Sequence, residues 1–134
     1  MQIRQLTHID YPTLCGWWTQ WKWTPPSREF LPENGTGGFL ISSEDDIPVA
    51  AGFMYLTNSK VAWIEFIVSN PKYKGKDRAE LIQKLIKHLA GQCYALGYDY
   101  IYTSTKNAAL IKKFESAGFT KGTVGSTELV MKLS

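Results

Sequence analysis

One stretch, Val61 to Ala90, constrains the fold of this chain more than any other. It begins with the almost wholly apolar run Val61–Val68, broken only by Glu65, which predicts a strand buried on both faces. A lysine-rich loop follows from Ser69 to Arg78, and beyond it the apolar positions recur at helical spacing. The stretch therefore predicts a strand, a basic loop and a helix. Unpaired backbone N–H groups and the helix dipole at such a junction favour an anion such as phosphate.

Composition limits the kind of protein this can be. A chain of 134 residues predicts a single domain over 1–134. No run approaches the roughly 18 apolar residues of a membrane span, and the first residues lack the apolar core of a signal peptide, so we expect a cytoplasmic protein with no membrane partner. Cys15 and Cys93 lie far apart without a CxxC or Cys/His cluster, which favours reduced structural thiols and no metal site. The net charge of +3 indicates a local anionic ligand and does not favour a nucleic-acid partner.

Hydrophobic periodicity predicts a mixed, mostly antiparallel sheet. The helices are expected from about Asp10, as N-cap, to Lys22, from near Lys76 to Gly97, and from Asn107 to Ala117. The Val61 strand, the second helix and the next strand should form a right-handed parallel βαβ unit. The last two strands should close the chain as a hairpin. The predicted strands are Gln2–Thr7, Phe39–Ser42, Val49–Leu56, Val61–Val68, Tyr98–Thr103, Phe119–Val124 and Thr127–Leu133.

The loop residues Lys74-Gly75-Lys76-Asp77-Arg78-Ala79 are the first candidate site. They occupy the end of the loop and the first helical turn, where Gly75 allows a close backbone approach to a ligand. The pattern fits a pyrophosphate site, and it also fits an ordinary solvated lysine-rich turn.

Glu65 is the leading candidate for a general base. A lone carboxylate in an apolar strand is costly to bury unless it is paired or protonated, and burial would raise its pKa toward the working pH. The alternative is a structural ion pair with a Lys or Arg. His8 and His88 are weaker candidates, since His88 lies in the body of a helix away from the loop.

Two segments resemble a known family. The stretch from Val68 to Ala79 resembles the acyl-CoA-binding motif of the GNAT superfamily of N-acyltransferases, in which a strand ending in Val leads into an Arg/Gln-x-x-Gly-x-Gly/Ala loop. Asn107, Ile111 and the run Phe114-Glu115-Ser116-Ala117-Gly118-Phe119 are similar to the N…YEKxGF segment of the same superfamily. The predicted element order also matches that fold, and the compact, Trp-rich sequence resembles phage-encoded members.

The resemblance implies a GNAT-type α/β (α+β) fold with a central parallel βαβ unit and helices on both faces. It implies transfer of an acetyl group from acetyl-CoA to a primary amine, on a small molecule or on a protein N-terminus or lysine, by direct attack and without a metal. Glu65 would act as base, and the N–H of Val68 or a neighbour would polarise the thioester carbonyl. The implied cofactor-binding residues are Ile67, Val68, Lys74, Gly75, Lys76, Asp77, Arg78, Ala79, Asn107 and Phe114, with charge added by Lys74 and Arg78 and with Asn107 bonded to the pantetheine arm.

Three positions depart from the family pattern. Lys74 stands where Arg or Gln is usual, and Asp77 stands where Gly is usual, which would bring a carboxylate to the phosphates. Phe114 occupies the place of a Tyr that protonates the departing thiolate in many members. Thiolate is nevertheless a tolerable leaving group, because the pKa of a thiol is about 8.5.

Four tryptophans, Trp17, Trp18, Trp21 and Trp23, crowd the region that covers the acceptor pocket in this superfamily. They fit core packing, and Trp18 and Trp21, with Glu65, are also candidates for acceptor binding. The departures at Asp77 and Phe114 support an alternative function, a CoA-binding or protein-interaction module that has lost catalysis. The sequence leaves open whether the chain forms a homodimer.

Overall fold

The computed structural model describes residues 1–134 and contains one five-stranded sheet in the order β1-β2-β3-β4-β5. No helix is both long and apolar enough to cross a membrane. The strands are β1 (Gln2–Gln5), β2 (Gly38–Ser42), β3 (Pro48–Tyr55), β4 (Val61–Ser69) and β5 (Tyr100–Tyr102). The helices are α1 (Asp10–Gln20), α2 (Arg78–Ala95) and α3 (Ala108–Ser116), with short 3-10 turns at Arg28–Phe30 and Pro32–Gly35.

The predicted mixed topology is confirmed. The first four strands pair antiparallel in sequence order, and β4 pairs parallel with β5 across α2. That parallel pairing covers only Val61–Trp63 on β4 and Tyr100–Tyr102 on β5, so most of β4 has no neighbour on this side.

Helices cover both faces of the sheet, as expected. On one face α2 and Phe114 of α3 bury an aliphatic cluster that includes Ile64 and Ile67 of β4. On the other face α1 contributes Leu14, Trp17 and Trp18 to a second cluster, which also contains Phe53 of β3 and Val68 of β4. Its buried members are Leu6, Leu14, Trp17, Trp18, Leu31, Leu40, Ala51, Phe53 and Val68. Burial on both faces of the sheet explains why the sequence of β4 is an almost continuous apolar run.

The start of α1 differs from the prediction. Asp10 is the first helical residue and does not cap the helix with its side chain. Its carboxylate instead accepts a bidentate bond from Arg4 on β1 (2.8 Å for each oxygen) and the N–H of Thr7. These bonds, the one from Arg4 foremost, lower the pKa of Asp10. The Asp10 side chain therefore ties the start of α1 to Arg4 and Thr7 and does not cap the first helical turn.

The predicted C-terminal hairpin is wrong. Residues 119–134 form no strand, and Val124, Leu129 and Leu133 are 82%, 91% and 86% exposed. A two-stranded hairpin is marginally stable unless a sheet or helix buries one of its faces, and here neither predicted strand pairs with β5. The alternating pattern of apolar residues predicted the two strands, but it does not indicate whether a sheet or helix is there to pack against them.

The α2–sheet contact is expected to carry much of the stability. Leu85 is fully buried between α2 and the sheet, so Leu85→Ala should lower the free energy of unfolding by about 2–5 kcal/mol in urea denaturation. Lys84→Ala, one position away, removes only a solvent-exposed partner of Glu80 and should change it by less than about 0.5 kcal/mol. Equal effects of the two substitutions would contradict the packing described here.

Candidate functional site

A bulge in β4 is the first element of the site. Phe53 pairs with Glu65 and Ala51 pairs with Val68, so the single residue Gly52 lies opposite both Phe66 and Ile67. Phe66 has a φ of 56°, in the left-handed region that a bulky residue rarely adopts. The extra residue interrupts the ladder and leaves the amides of the bulge outside the β3–β4 pairing.

The bulge changes which backbone amide faces the open side of β4. Asn70 donates its N–H to Val49 on β3 at 2.7 Å, and strand alternation turns the N–H of Val68 to β3 as well. The N–H of Val68, the first choice from the sequence for polarising a carbonyl, therefore faces the ladder, and the neighbouring Ile67 lies in the bulge. The periodicity of the strand gave no signal of this extra residue.

A cleft opens where β4 and β5 stop pairing. Thr103 Oγ1 donates to the carbonyl of Ile64 at 2.6 Å, and beyond this bond the strands separate around a cleft of about 450 Å³. The lining comes from α1, the β4 bulge, the segment after β5, α3 and the C-terminal segment: Trp18, Trp23, Glu65, Phe66, Ile67, Thr103, Ser104, Thr105, Lys106, Asn107, Leu110, Phe114 and Glu128. The cleft thus brings together four of the residues proposed from the sequence, Glu65, Ile67, Asn107 and Phe114.

Glu65 lies on the cleft wall without an ion-pair partner. The ion pairs in the structure are Arg4–Asp10 and Lys84–Glu80, so the alternative of a structural pair with Lys or Arg is not supported. Its Oε1 accepts the N–H of Ser104 at 3.1 Å. Burial raises the pKa of Glu65 to about 7, while the Ser104 bond lowers it and the nearby Glu128 raises it further. A carboxyl with this pKa can exchange a proton near neutral pH.

Two residues near Glu65 were missed from the sequence. Burial and the neighbouring Glu65 raise the pKa of Tyr55 to about 12, and its hydroxyl donates to the carbonyl of Phe30 at 2.9 Å. Glu128 reaches the cleft from the C-terminal segment. The sequence signal for Tyr55 was its place two positions after Phe53 on the same strand face, whereas no local pattern marks Glu128.

The basic loop is organised by Arg78. Its guanidinium donates to the carbonyls of Asn70 (3.2 Å) and Tyr73 (3.1 Å) and to Ser69 Oγ (2.5 Å), and it lies 5.4 Å from the Trp21 ring centroid. The guanidinium is therefore engaged within the protein. Through these bonds Arg78 fixes the conformation of the loop.

Several amides at the start of α2 have no acceptor within the protein. They belong to residues 74–77 and to Ala79 and Glu80. Helix α2 begins at Arg78, two residues later than predicted, because Arg78 N–H closes a turn onto Gly75 (3.3 Å) and Asp77 becomes the N-cap. The side chains of Lys74 and Lys76 form no ion pair. The loop presents free donors and positive charge, the properties of an anion site.

Asn107 and Phe114 lie on the α3 side of the cleft. Asn107 is the N-cap of α3, and its Oδ1 accepts the N–H of Leu110 at 3.0 Å, which leaves its Nδ2 without a protein acceptor. Phe114 is 4% exposed and packs edge-on against Phe119 at 5.0 Å. The position therefore contributes to the core and carries no acid group.

The tryptophans divide between the cleft and the loop. Trp18 is buried and stacks on Phe53 at 6.4 Å while also lining the cleft, together with Trp23. Trp21 does not line it: its Nε1 donates to the carbonyl of Ser69 at 2.8 Å, beside Arg78. The expectation that Trp21 contacts the acceptor is thus not supported, and Trp23 lines the cleft instead.

The remaining sequence candidates lie elsewhere. His88 packs against Phe39 with ring centroids 4.6 Å apart, and His8 accepts a bond from Arg28 through its carbonyl; neither lines the cleft. No group of three or more His, Cys, Asp or Glu side chains is placed to hold a metal ion, and Cys15 and Cys93 are free thiols.

The raised pKa of Glu65 predicts a pH dependence of stability. Between its usual 4.5 and about 7 the folded state holds a proton that the unfolded state has lost, so this contribution is complete below pH 4.5 and is lost as pH rises through 7. Glu65→Gln should therefore gain stability relative to wild type between pH 4.5 and pH 7.5 in urea denaturation. Glu115→Gln, an exposed control on α3, should show no such change with pH. A constant difference between Glu65→Gln and wild type would contradict the burial of Glu65.

Comparison with known proteins places the fold. No family model matches the chain, and no curated protein matches its sequence. Among solved structures, the ribosomal-protein-S18-alanine N-acetyltransferase of Escherichia coli is similar with a TM-score of 0.70 at 22% identity, covering 91% of this chain and 79% of that one. Glucosamine-6-phosphate N-acetyltransferase of Arabidopsis thaliana is similar with a TM-score of 0.67 at 17% identity, covering 96% and 97%.

A third similar structure contains coenzyme A. N-acetylglutamate synthase of Neisseria gonorrhoeae, solved with coenzyme A and N-acetyl-glutamate, gives a TM-score of 0.72 at 15% identity, covering 91% of this chain and 28% of that one. None of these comparisons bears on the resemblance to phage-encoded members. The likeness agrees with the strand, loop and helix arrangement that the sequence predicts, and the chain has the GNAT fold.

Proposed function

We propose that this chain is an N-acetyltransferase that moves the acetyl group of acetyl-CoA to a primary amine by direct attack. The observation that carries the proposal is the cleft beside the β4 bulge, where an unpaired carboxyl with a pKa near 7 and the amide of Ile67 lie on the same strand. The GNAT fold and the free amides at the start of α2 support it. The acceptor amine belongs to a small molecule or to a protein N-terminus or lysine.

The residues present fit CoA. The unpaired N–H groups of the loop and of Ala79 and Glu80 would hold the pyrophosphate, with Lys74 and Lys76 adding charge. The pantetheine arm would lie in the gap between β4 and β5, within reach of the Nδ2 of Asn107. Phe114 and Ile67 would supply an apolar wall for it.

Acetyl-CoA would supply a thioester, whose carbonyl carbon is open to attack by an amine. Glu65, deprotonated above about pH 7, would accept a proton from the acceptor ammonium directly or through a water molecule. The amide of Ile67 would donate to the carbonyl oxygen as negative charge develops there. Both groups lie on β4, so the bulge sets their relative position.

The departing sulfur has no acid group on α3, because position 114 is a buried Phe. Thiolate with a conjugate-acid pKa of about 8.5 can leave without protonation near neutral pH. The chain is therefore expected to turn over more slowly than an enzyme with an acid at this position, without losing activity.

The acceptor would occupy the α1 side of the cleft. Trp18 and Trp23 present aromatic surface there, and Glu65 and Glu128 make the wall acidic. Aromatic faces and carboxylates together favour an acceptor with an aliphatic stem and a cationic amine.

A second candidate is a module that binds CoA without catalysis. The specific observations in its favour are the buried Phe114 and the carboxylate of Asp77 at the loop. The two candidates share the loop and differ only in turnover.

Binding and turnover separate these candidates. Acetyl-CoA at about 100 times its Kd should add roughly 2.7 kcal/mol to the free energy of unfolding, seen as a rise in Tm, and an acceptor amine should release free thiol. A rise in Tm without thiol release across broad amine and peptide panels favours the binding module. No rise in Tm with acetyl-CoA contradicts both.

The role of Glu65 has its own test. Glu65→Gln should lower kcat/KM about 100-fold or more and remove the rise in rate through pH 7, because a neutral amide cannot accept the proton. Glu115→Gln should keep the wild-type pH profile. Full turnover of Glu65→Gln at every pH would remove Glu65 from the mechanism.

A further inference from the structure

Tyr73 and Asp77 form a hydrogen bond that spans Gly75. The Tyr73 hydroxyl donates to Asp77 Oδ1 at 2.5 Å. A Cβ at Gly75 would overlap the Tyr73 hydroxyl and lie 2.7 Å from Asp77 Oδ1, so a side chain there would displace one of the two partners of this bond. The two side chains therefore lie directly across the loop, and the missing side chain at position 75 makes their contact possible.

Asp77 is an N-cap residue that does not cap. In its position before α2, an Asp usually accepts the N–H of the second or third helical residue, here Ala79 or Glu80. The Asp77 carboxylate makes no such bond. It is held by Tyr73, and the ring of Tyr73 is in turn packed against the aliphatic cluster under α2.

The amides that Asp77 would otherwise cap are those an anion needs. The N–H groups of Ala79 and Glu80 have no acceptor in the structure. If the Asp77 carboxylate turned to them, it would fill the donors and add a negative charge where a phosphate would bind. The Tyr73 bond removes this internal competitor and leaves the positive end of α2 open.

We propose that Tyr73 is a positioning residue, which holds the Asp77 carboxylate away from the start of α2 and so keeps the helix amides available to the pyrophosphate of CoA. The inference rests on the proposed function. It accounts for an Asp at a position where a carboxylate would otherwise oppose the ligand.

The test is a double-mutant cycle with CoA as the probe. Tyr73→Phe keeps the ring and removes the hydroxyl, and it should raise the Kd of CoA about tenfold in calorimetry, because Asp77 is then free to cap α2. Asp77→Gly removes the competitor at little cost to the cap and should bind CoA at least as well as wild type. In the Asp77→Gly background, Tyr73→Phe should have no further effect.

Further readouts separate positioning from a general loss of structure. Tyr73→Phe should raise the KM for acetyl-CoA and leave kcat unchanged, and it should not alter turnover with S-acetylpantetheine, which carries no pyrophosphate. Equal weakening by Tyr73→Phe with and without Asp77 would overturn the positioning role. Wild-type binding of CoA with an unchanged Kd in Tyr73→Phe overturns this inference alone, whereas no binding of CoA by the wild type overturns the proposed function with it.

Discussion

The pairing of β3 with β4 around one extra residue is the constraint on which the site depends. Gly52 faces Phe66 and Ile67 across the ladder, and a Cβ there would lie 2.9 Å from Leu89 Cδ1 and 3.0 Å from Ile67 Cγ1. The absence of a side chain at Gly52 thus lets α2 and the bulge approach the sheet together. The bulge shifts the alternation of β4 by one residue, which turns the N–H of Val68 into the ladder.

The position of Glu65 on the same strand explains why its pKa is raised to about 7. β4 packs against α2 through Ile64 and Ile67 and against the α1 cluster through Val68, and the Glu65 side chain is half-buried. Glu65 lies where β5 leaves β4, which gives it one backbone donor and partial access to the cleft. Burial then outweighs the single hydrogen bond, and its pKa rises.

Charges at the loop are arranged by contacts that a motif does not reveal. Arg78 and Trp21 hold the carbonyl side of the loop, and Tyr73 holds the carboxylate of Asp77. What remains free is backbone N–H and the side chains of Lys72, Lys74 and Lys76. Some residues that the sequence predicts as phosphate ligands therefore stabilise the conformation of the loop. The groups that the loop offers to an anion are mainly its backbone N–H groups.

The sequence by itself determined the order of elements through α3, the parallel βαβ unit and the position of Glu65 within a buried strand, because periodicity and local turn signals record which face each residue buries. It also located the loop and the start of α3 at Asn107, where the stabilising bond is local. Only the tertiary structure decided the bulge at Phe66, the use of Asp10 by Arg4, the partners of Arg78 and Tyr73, and the unpaired C-terminal segment. In each case several donors, acceptors or packing partners were available, and the folded structure decides which of them is used; sequence patterns do not record that choice.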